Sequence, residues 1–298
     1  MNDRKKPQLT KGSGGTDPER IRFLKNEWLI PFINSNDIKL KNKKILDIGC
    51  GGGSSTFAIS LSSKKCHVIG IDVELPSINH AKESYKNLYN DLNIEFLHQK
   101  NNNSIDFENN QFDIVVFNAV FEHVYLSDRK GLLLESLRVL KKNGYIVIIG
   151  TPNKWFPNDS HTSNLWFVPW MPLFFAKYYV LFRNGAIKKS DELAKSNLSI
   201  FEKLRTIPKN EWIFRGIRGT GYNEIKKWAN SSNIKYKIVN NDNNKELDSY
   251  MKSSKSLKSL YQNYLIRSVI KAFIKLFNIL KISCHNFLPY LRIIIQKT

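Results

Sequence analysis

Between residues 44 and 150, short apolar segments alternate with segments of helical periodicity. The segment Phe112–Asn118 (FDIVVFN) is apolar on nearly every residue, whereas a strand with one face in water would alternate apolar and polar residues. Strands buried on both faces and separated by helices are typical of parallel sheets that helices cover on each side. The pattern predicts an α/β fold, a Rossmann-like, doubly wound, mostly parallel sheet with helices on both faces. Its five predicted strands are Lys44–Ile48, His67–Asp72, Ile94–His98, Phe112–Asn118 and Tyr145–Gly150.

The rest of the 298 residues divides into segments around this core, 44–150. Residues 1–43 form an arm and then a helix, capped by Asp17, which is predicted to run from Pro18 to about residue 34. Residues 151–220 are rich in proline and aromatic residues and are predicted to form an inserted substrate lid. Residues 221–240 are predicted to complete the sheet, and residues 241–298 to form a helical, amphipathic C-terminal extension.

The chain has 46 Lys and Arg against 26 Asp and Glu, a formal charge of +20. The core has a net charge of −1, whereas segments 1–43, 151–240 and 241–298 have +5, +9 and +7. Positive charge outside the core points to an acidic or membrane-borne partner. With 42% hydrophobic residues, the chain also has enough apolar material for a core, which excludes a wholly disordered protein.

Cysteine content and targeting signals indicate the compartment. Cys50, Cys66 and Cys284 are an odd number without metal-ligand spacing, which favours a reducing environment over a disulfide scaffold. The N-terminus is polar and unlike a signal peptide, and no uninterrupted apolar run reaches the ~18 residues of a membrane span. We expect a cytoplasmic protein, with peripheral attachment to the inner face of the membrane as a further expectation.

The segment Ile45–Gly53 (ILDIGCGGG) predicts a strand that enters a glycine-rich turn and then a helix. Glycines in such a turn let the backbone approach a ligand without a Cβ in the way. A dinucleotide-binding turn needs Gly-x-Gly-x-x-Gly, but Ser54 stands at the third glycine position. That alternative also leaves Asp47 without a role.

The segment instead resembles the Asp-x-Gly-x-Gly motif of class I S-adenosylmethionine (SAM) methyltransferases. Three further segments resemble that family in the same order: VIGIDV, FDIVVFNAVFEHV and LLLESLRVLKKNGYIVIIGTPN. DIGCGGG and FEHV are similar to the quinone and small-molecule O-methyltransferase branch. The resemblance implies SAM as cofactor and methyl transfer to a small-molecule, sugar or lipid-linked acceptor, with oxygen as the expected atom. It leaves open a non-catalytic or membrane-associated SAM-fold protein.

The resemblance also implies which residues bind SAM. Asp72 would hold the ribose hydroxyls and Val73 would pack on the adenine. Asp47 would order the turn or meet the ammonium group of SAM, and Asn118 would either line the site or cap its strand. Asn101 stands where related sequences carry an Asp that meets the adenine amino group. The full predicted set is Asp47, Gly49, Cys50, Gly51, Asp72, Val73, Asn101, Asn102 and Asn118.

Two histidines are candidates for a general base that removes a proton from an acceptor oxygen, His123 and His161. A structural role for His123, hydrogen-bonded beside the site, is the alternative. In the resembling branch a Glu and a Glu-His pair hold a metal, but Ala119 stands at the first Glu position, so no metal is predicted.

The flanking segments suggest how an acceptor is found. Residues 155–183 contain ten aromatic residues, and residues 256–298 contain a helix with a polar stripe at Arg267, Lys271, Lys275 and Asn278. A wide apolar arc beside a cationic stripe is typical of helices on an anionic membrane surface. Packing on the protein's own core or in a dimer is the alternative. Nucleic acid is disfavoured, because no RNA-binding module is present and FNAVF replaces the Asn-Pro-Pro-Tyr type of motif.

Overall fold

The computed structural model describes residues 16–101, 104–159, 163–184, 199, 219–253 and 262–298. Elements among these residues are numbered in chain order. The helices are α1 Pro18–Asn26, α2 Leu29–Ser35, α3 Ser54–Ser62, α4 Leu75–Leu88, α5 Arg129–Val139, α6 Leu173–Asn184, α7 Tyr222–Asn230, α8 Asn243–Met251 and α9 Tyr264–Ile279. The strands are β1 Lys44–Ile48, β2 His67–Asp72, β3 Ile94–His98, β4 Phe112–Asn118, β5 Leu140–Pro152, β6 Asn158–Asp159, β7 Leu165–Trp166, β8 Tyr236–Ile238 and β9 Tyr290–Lys297. Short 3₁₀ helices span Phe121–His123, Val168–Trp170 and Cys284–Asn286.

The central sheet has seven strands in the order β3-β2-β1-β4-β5-β9-β8. Strands β1 to β5 are parallel to their neighbours, and β9 is antiparallel to both β5 and β8. The chain winds from β1 outward to β3 and then returns to β4 on the other side of β1. The predicted doubly wound fold is confirmed, and its switch point, where such sheets bind ligands, lies between β1 and β4.

Each face of the sheet is covered by helices. In β1, Ile45 packs on the face covered by α1 to α4, whereas Leu46 and Ile48 pack on the face covered by α5 and α7. All three side chains are at most 3% exposed. The absence of polar alternation in the strands therefore reflects burial on both sides.

The N-terminal helix differs from the prediction because it is broken in two. Asp17 caps α1 as expected, and its side chain accepts from the Glu19 N–H. The helix ends at Asn26, and α2 begins at Leu29. Pro31 lies in the first turn of α2, where a missing N–H costs nothing, so the break places the proline where a helix tolerates it.

The C-terminal extension corrects the prediction that residues 241–298 are helical. Helix α9 is present, but Tyr290–Lys297 form β9, which lies inside the sheet between β5 and β8. Residues 221–240 therefore do not complete the sheet alone, because β8 is the edge strand and pairs only with β9 among the described strands. The final strand reads LRIIIQ, and Ile293, Ile294 and Ile295 are fully buried.

Of the predicted lid, the structure describes residues 151–159, 163–184, 199 and 219–220. They include the β6–β7 hairpin and α6. The boundaries of the lid, like those of the other predicted segments, stay a prediction. Among the described residues, no helix is long and apolar enough to cross a membrane.

The position of β9 generates a test of its contribution to stability. Replacing buried Ile294 by Ala should lower the free energy of unfolding by about 2–5 kcal/mol, because it leaves a cavity in a packed core. The matched control is Ile279→Ala on α9, where the side chain is 68% exposed and the change should stay within about 0.5 kcal/mol. Urea unfolding followed by circular dichroism measures both, and equal losses would contradict a buried β9.

Candidate active site

The glycine-rich turn connects β1 to α3 at the switch point. Gly49 and Gly51 have positive φ angles of +66° and +52°, which L side chains rarely adopt. A Cβ on Gly49 would lie 2.9 Å from the side chain of Val120, whereas a Cβ on Gly51 would meet nothing within 4 Å. The backbone at Gly51 therefore borders open space, as close approach by a ligand requires. Cys50 between them is buried, and burial raises the pKa of its thiol.

Asp47 holds this turn from within. Its fully buried carboxylate accepts through Oδ2 from the Ser55 hydroxyl at 2.7 Å and the Thr56 hydroxyl at 2.6 Å. Both hydroxyls belong to the first turn of α3, so Asp47 ties the end of β1 to the start of the helix. Burial raises the pKa of Asp47 to about 6, although the two hydroxyls lower it. The second oxygen, Oδ1, is buried and has no hydrogen-bond partner among the described residues.

Asp72 ends the neighbouring strand β2 and reaches across to the turn. Its Oδ2 accepts from the Gly51 N–H at 2.8 Å, and its Oδ1 accepts from the Glu74 N–H at 2.9 Å. Each carboxylate oxygen has a further lone pair for a ligand hydroxyl. Burial raises the pKa of Asp72, and the backbone hydrogen bonds lower it. Val73 follows with a side chain that is 38% exposed.

The loop after β3 contains the two predicted adenine contacts. Asn101 Oδ1 accepts from both the N–H and the hydroxyl of Ser104 at 3.0 Å. An adenine amino group would need a hydrogen-bond acceptor. The Oδ1 of Asn101 already accepts two hydrogen bonds from Ser104 within the loop, so its lone pairs are used there. Asn102 lies outside the described residues.

Asn118 lies at the carboxyl end of β4, next to the end of β1 in the register that pairs Ile48 with Phe117. Its side chain is partly exposed. Gly150 of β5 passes close by, and a Cβ there would lie 3.5 Å from Asn118 Oδ1. The sheet thus brings the turn, Asp72 and Asn118 to one edge.

The start of α1 crosses over the turn, which the sequence did not reveal. Thr16 is buried, and its hydroxyl donates to the Gly52 carbonyl at 2.5 Å. Arg20, one turn further along, is exposed and lies near enough to Glu122 to lower the pKa of that carboxyl. The Asp17-Pro18 cap signals where the helix begins, but only tertiary packing places that helix beside the predicted cofactor site.

The 3₁₀ helix Phe121–His123 follows β4 on the same edge and holds the predicted general base. His123 is partly exposed, whereas Glu122 is fully buried. Burial raises the pKa of Glu122 to about 7, opposed by the Thr151 hydroxyl and by Arg129. His161, the second candidate base, lies outside the described residues. Among the described residues, no three His, Cys, Asp or Glu side chains are grouped to hold a metal ion.

Arg129 connects this segment to the far end of the lid. Its buried guanidinium donates through Nε to the Val124 carbonyl, and through Nη1 to the Gly219 carbonyl and the Thr220 hydroxyl, all at 3.0 Å. Thr220 in turn donates its N–H to the Pro152 carbonyl. The two ends of the lid therefore meet next to the segment that contains His123.

The buried carboxyl of Glu122 predicts a pH dependence of stability. The pKa of Glu122 rises from 4.5 to about 7 on folding. The contribution of Glu122 to the free energy of unfolding is therefore full below pH 4.5 and is lost as the pH rises to about 7. Glu122→Gln should therefore reduce the loss of stability between pH 5 and pH 8 by about 1–3 kcal/mol. The measurement is urea unfolding across that range. Exposed Glu108→Gln is the control that should keep the wild-type curve, and a wild-type curve for Glu122→Gln would refute the assignment.

Comparisons with known proteins match the same region. Residues 39–171, which contain β1 to β5, match a family model described as a methyltransferase domain. A ubiquinone biosynthesis O-methyltransferase of Pelagibacter ubique is 37% identical over 143 residues, covering 46% of this chain and 54% of that protein. The Rickettsia prowazekii protein of the same name is 32% identical over 141 residues, covering 45% and 50%.

A solved structure of a SAM-dependent methyltransferase from Methanosarcina mazei is 28% identical, with a TM-score of 0.36, and covers 41% of this chain and 58% of that one. The chain spans about half the length of the curated relatives it matches. The region that matches the family model contains Asp47 and Asp72. Residues 39–171 of the chain are thus similar to a methyltransferase domain and to the matching halves of these O-methyltransferases.

Proposed function

We propose that the chain transfers a methyl group from SAM to a small-molecule acceptor, at an oxygen atom. The observation that carries the proposal is the hydrogen bond between Asp72 and the Gly51 N–H. It joins a carboxylate and an open glycine turn at the carboxyl ends of adjacent parallel strands. A ligand with a ribose and a charged amino-acid end fits such a pair, because the carboxylate accepts from hydroxyls and the turn offers backbone groups.

The residues of this edge fit SAM, which when bound supplies a methyl group on a sulfonium that leaves as a neutral thioether. Asp72 would hold the ribose hydroxyls and Val73 would pack on the adenine. The backbone of Gly49–Gly51 would hold the methionine end, with Asn118 on the other side of the switch point. Asp47 acts mainly by ordering the turn, since its Oδ2 is bonded to α3.

Arg20 is a further residue proposed to bind SAM, and its position in the structure is the reason. It is an exposed cation at the start of α1, near Glu122, and α1 begins with the Thr16–Gly52 hydrogen bond over the turn. A guanidinium recognises a carboxylate through two parallel hydrogen bonds. Arg20 would therefore bind the carboxylate of the methionine end.

His123 would act as the general base. It lies in the 3₁₀ helix that follows β4, five residues after Asn118, at the carboxyl edge where the acceptor must meet the methyl donor. Its role would be to take the proton from the acceptor hydroxyl as the new carbon–oxygen bond forms. The remaining task of the protein is to align acceptor and donor and to exclude water. His161 stays the alternative base.

The acceptor we propose is apolar or lipid-linked, with a phenol or sugar hydroxyl as the reacting group. The support is an unusual exposure of aromatic side chains in the described part of the lid. Six of them are 51–75% exposed: Trp155, Trp166, Phe167, Trp170, Phe175 and Phe182. Large exposed apolar patches mark binding sites for apolar partners.

We also propose an anionic membrane surface as a partner, through α9 within residues 256–298. One face of α9 packs on the protein: Ile274 is 5% exposed, and Phe277 stacks on Phe287 at 4.7 Å. A second apolar stripe faces outward, with exposures of 46–55%, at Val269, Phe273, Leu276 and Leu280. At about 100° per residue, this stripe and the basic stripe of Arg267, Lys271 and Lys275 lie on opposite sides of the packed face. Packing and an exposed apolar stripe thus coexist on one helix.

The ribose assignment predicts the effect of Asp72→Asn. Calorimetry should show SAM binding by the intact protein, weakened at least about tenfold in Asp72→Asn, because one charged acceptor is lost. Asp91→Asn is the control, since Asp91 pairs with Lys64 on the surface and should leave SAM affinity unchanged. Absence of SAM binding by the wild type would refute the proposed function, and unchanged binding by Asp72→Asn would refute the ribose assignment.

The proposed base predicts a different result. His123→Asn should bind SAM normally but slow methyl transfer by about 10²-fold or more. The assay is transfer of labelled methyl across phenolic, glycan and lipid-linked acceptors. The control is His67→Gln, because His67 pairs with Glu95 on β3, away from the switch point. Wild-type rates in His123→Asn would exclude it as the base. SAM binding without transfer to any acceptor would favour a non-catalytic protein.

The membrane proposal is tested in the full-length chain, because removing residues 256–298 would also remove β9. Leu276→Glu should reduce co-sedimentation with phosphatidylglycerol vesicles several-fold, since it places a charge in the apolar stripe. Leu88→Glu is the control, because Leu88 ends α4 and is similarly exposed, 53% against 46%. Equal sedimentation of Leu276→Glu and the wild type would refute the proposal that α9 binds an anionic membrane surface.

A further inference from the structure

A groove of about 590 Å³ lies between the N-terminal helices and α8, away from the glycine turn. One wall comes from the end of α1 and from α2, and the other from one face of α8. The α8 wall has hydrogen-bond donors at Lys245 and Ser249 of α8 and at Lys252 just after its end. Ser253 also lines it, with a hydroxyl that donates to the Tyr250 carbonyl. Arg292 of β9 reaches the groove from the sheet below.

Arg292 is a buried cation with unused donors. It is 2% exposed, its Nε lies 3.1 Å from Glu246 Oε1, and its Nη2 donates to the Ser249 hydroxyl at 2.9 Å. Its guanidinium carbon lies 4.5 Å from the centre of the Phe32 ring, so one face is covered. Nη1 has no hydrogen-bond partner among the described residues. Buried donors are normally satisfied, and leaving one unsatisfied costs about 1–3 kcal/mol.

The charges around the groove favour an acceptor group against the α8 wall. Two acids also line it, but Asp248 is paired with Lys252 on the same helix, and Glu27 lies on the opposite wall. Glu246 contacts Nε of Arg292, on a different edge of the guanidinium from Nη1. Donors therefore dominate between Arg292 and α8.

We propose that this groove binds the carboxylate or phosphate group of a small molecule. Arg292 supplies positive charge at the floor of the groove, and Lys245 contacts the group at the rim. Arginine suits the role, because its planar fork matches the oxygens of both groups.

The groove is a second site and not part of the proposed SAM site. Helix α1 separates the two, since its start lies over Gly52 and its end, at Asn26, lines the groove. Nine helical residues span about 13 Å. Binding in the groove is measured without SAM, so the proposal stands independently of methyl transfer.

The test places a carboxylate inside the groove. Calorimetry of the full-length wild type with inorganic phosphate and with succinate, at constant ionic strength, should give saturable binding to at least one of them. Ser249→Asp puts an anion beside Arg292, so it should weaken that binding at least about tenfold while preserving or raising the melting temperature. Asn244→Asp, an exposed position on the same helix with the same charge change, is the control that should keep wild-type affinity.

The outcomes separate the sources of the anion. Saturable binding of a free anion that Ser249→Asp removes supports a small soluble ligand. Binding only to phosphatidylglycerol vesicles, lost in Ser249→Asp, identifies the phosphate as a lipid headgroup. No saturable binding of any of these probes, or equal binding by the wild type and Ser249→Asp, would overturn the proposal.

Discussion

The buried carboxylate of Asp47 is the interaction on which the site depends. It bonds to two hydroxyls in the first turn of α3 and thereby fixes the angle at which the chain leaves β1. That angle holds Gly51 against Asp72 of the next strand. Removing one partner would leave a buried charge or hydroxyl unsatisfied, which is costly in a low-dielectric core. The turn is therefore preorganised before any ligand arrives.

Around this core, the structure brings together segments that are far apart in the chain. The start of α1 crosses the glycine turn, and Arg129 ties the segment after β4 to the end of the lid. The last strand, β9, lies inside the sheet and supplies both Ile294 to the core and Arg292 to the groove. The segments with the excess positive charge thus flank a nearly neutral core.

Much of the fold was predictable, because the local pattern of apolar residues agrees with the burial of each strand in the folded sheet. Strands β1 to β4 occupy the predicted ranges, since apolar runs between turn signals mark strands that are buried on both faces. The roles of Asp47 and Asp72 were implied by the resemblance to the methyltransferase motif, and they stay predictions. The positive φ at Gly49 was predictable, because a glycine-rich turn after a strand favours that conformation. Thr16 and Arg20 were not, because nothing in a short polar segment shows which surface it will cover. Asn101 is an intermediate case, since its position was predictable but its bond to Ser104 was not.

By itself, the sequence determined the doubly wound core, because the periodicity of apolar residues is a property of neighbouring residues. Its resemblance to the Asp-x-Gly-x-Gly motif implied SAM as the ligand of the turn. Only the tertiary structure decided that β9 belongs to the sheet, because the apolar run LRIIIQ is compatible with either a buried helix or a buried strand. Pairing with β5 and β8 resolves that ambiguity through long-range hydrogen bonds. The same pairing decides that Arg292 is buried beside Glu246 and an open groove, a consequence that no local pattern contains.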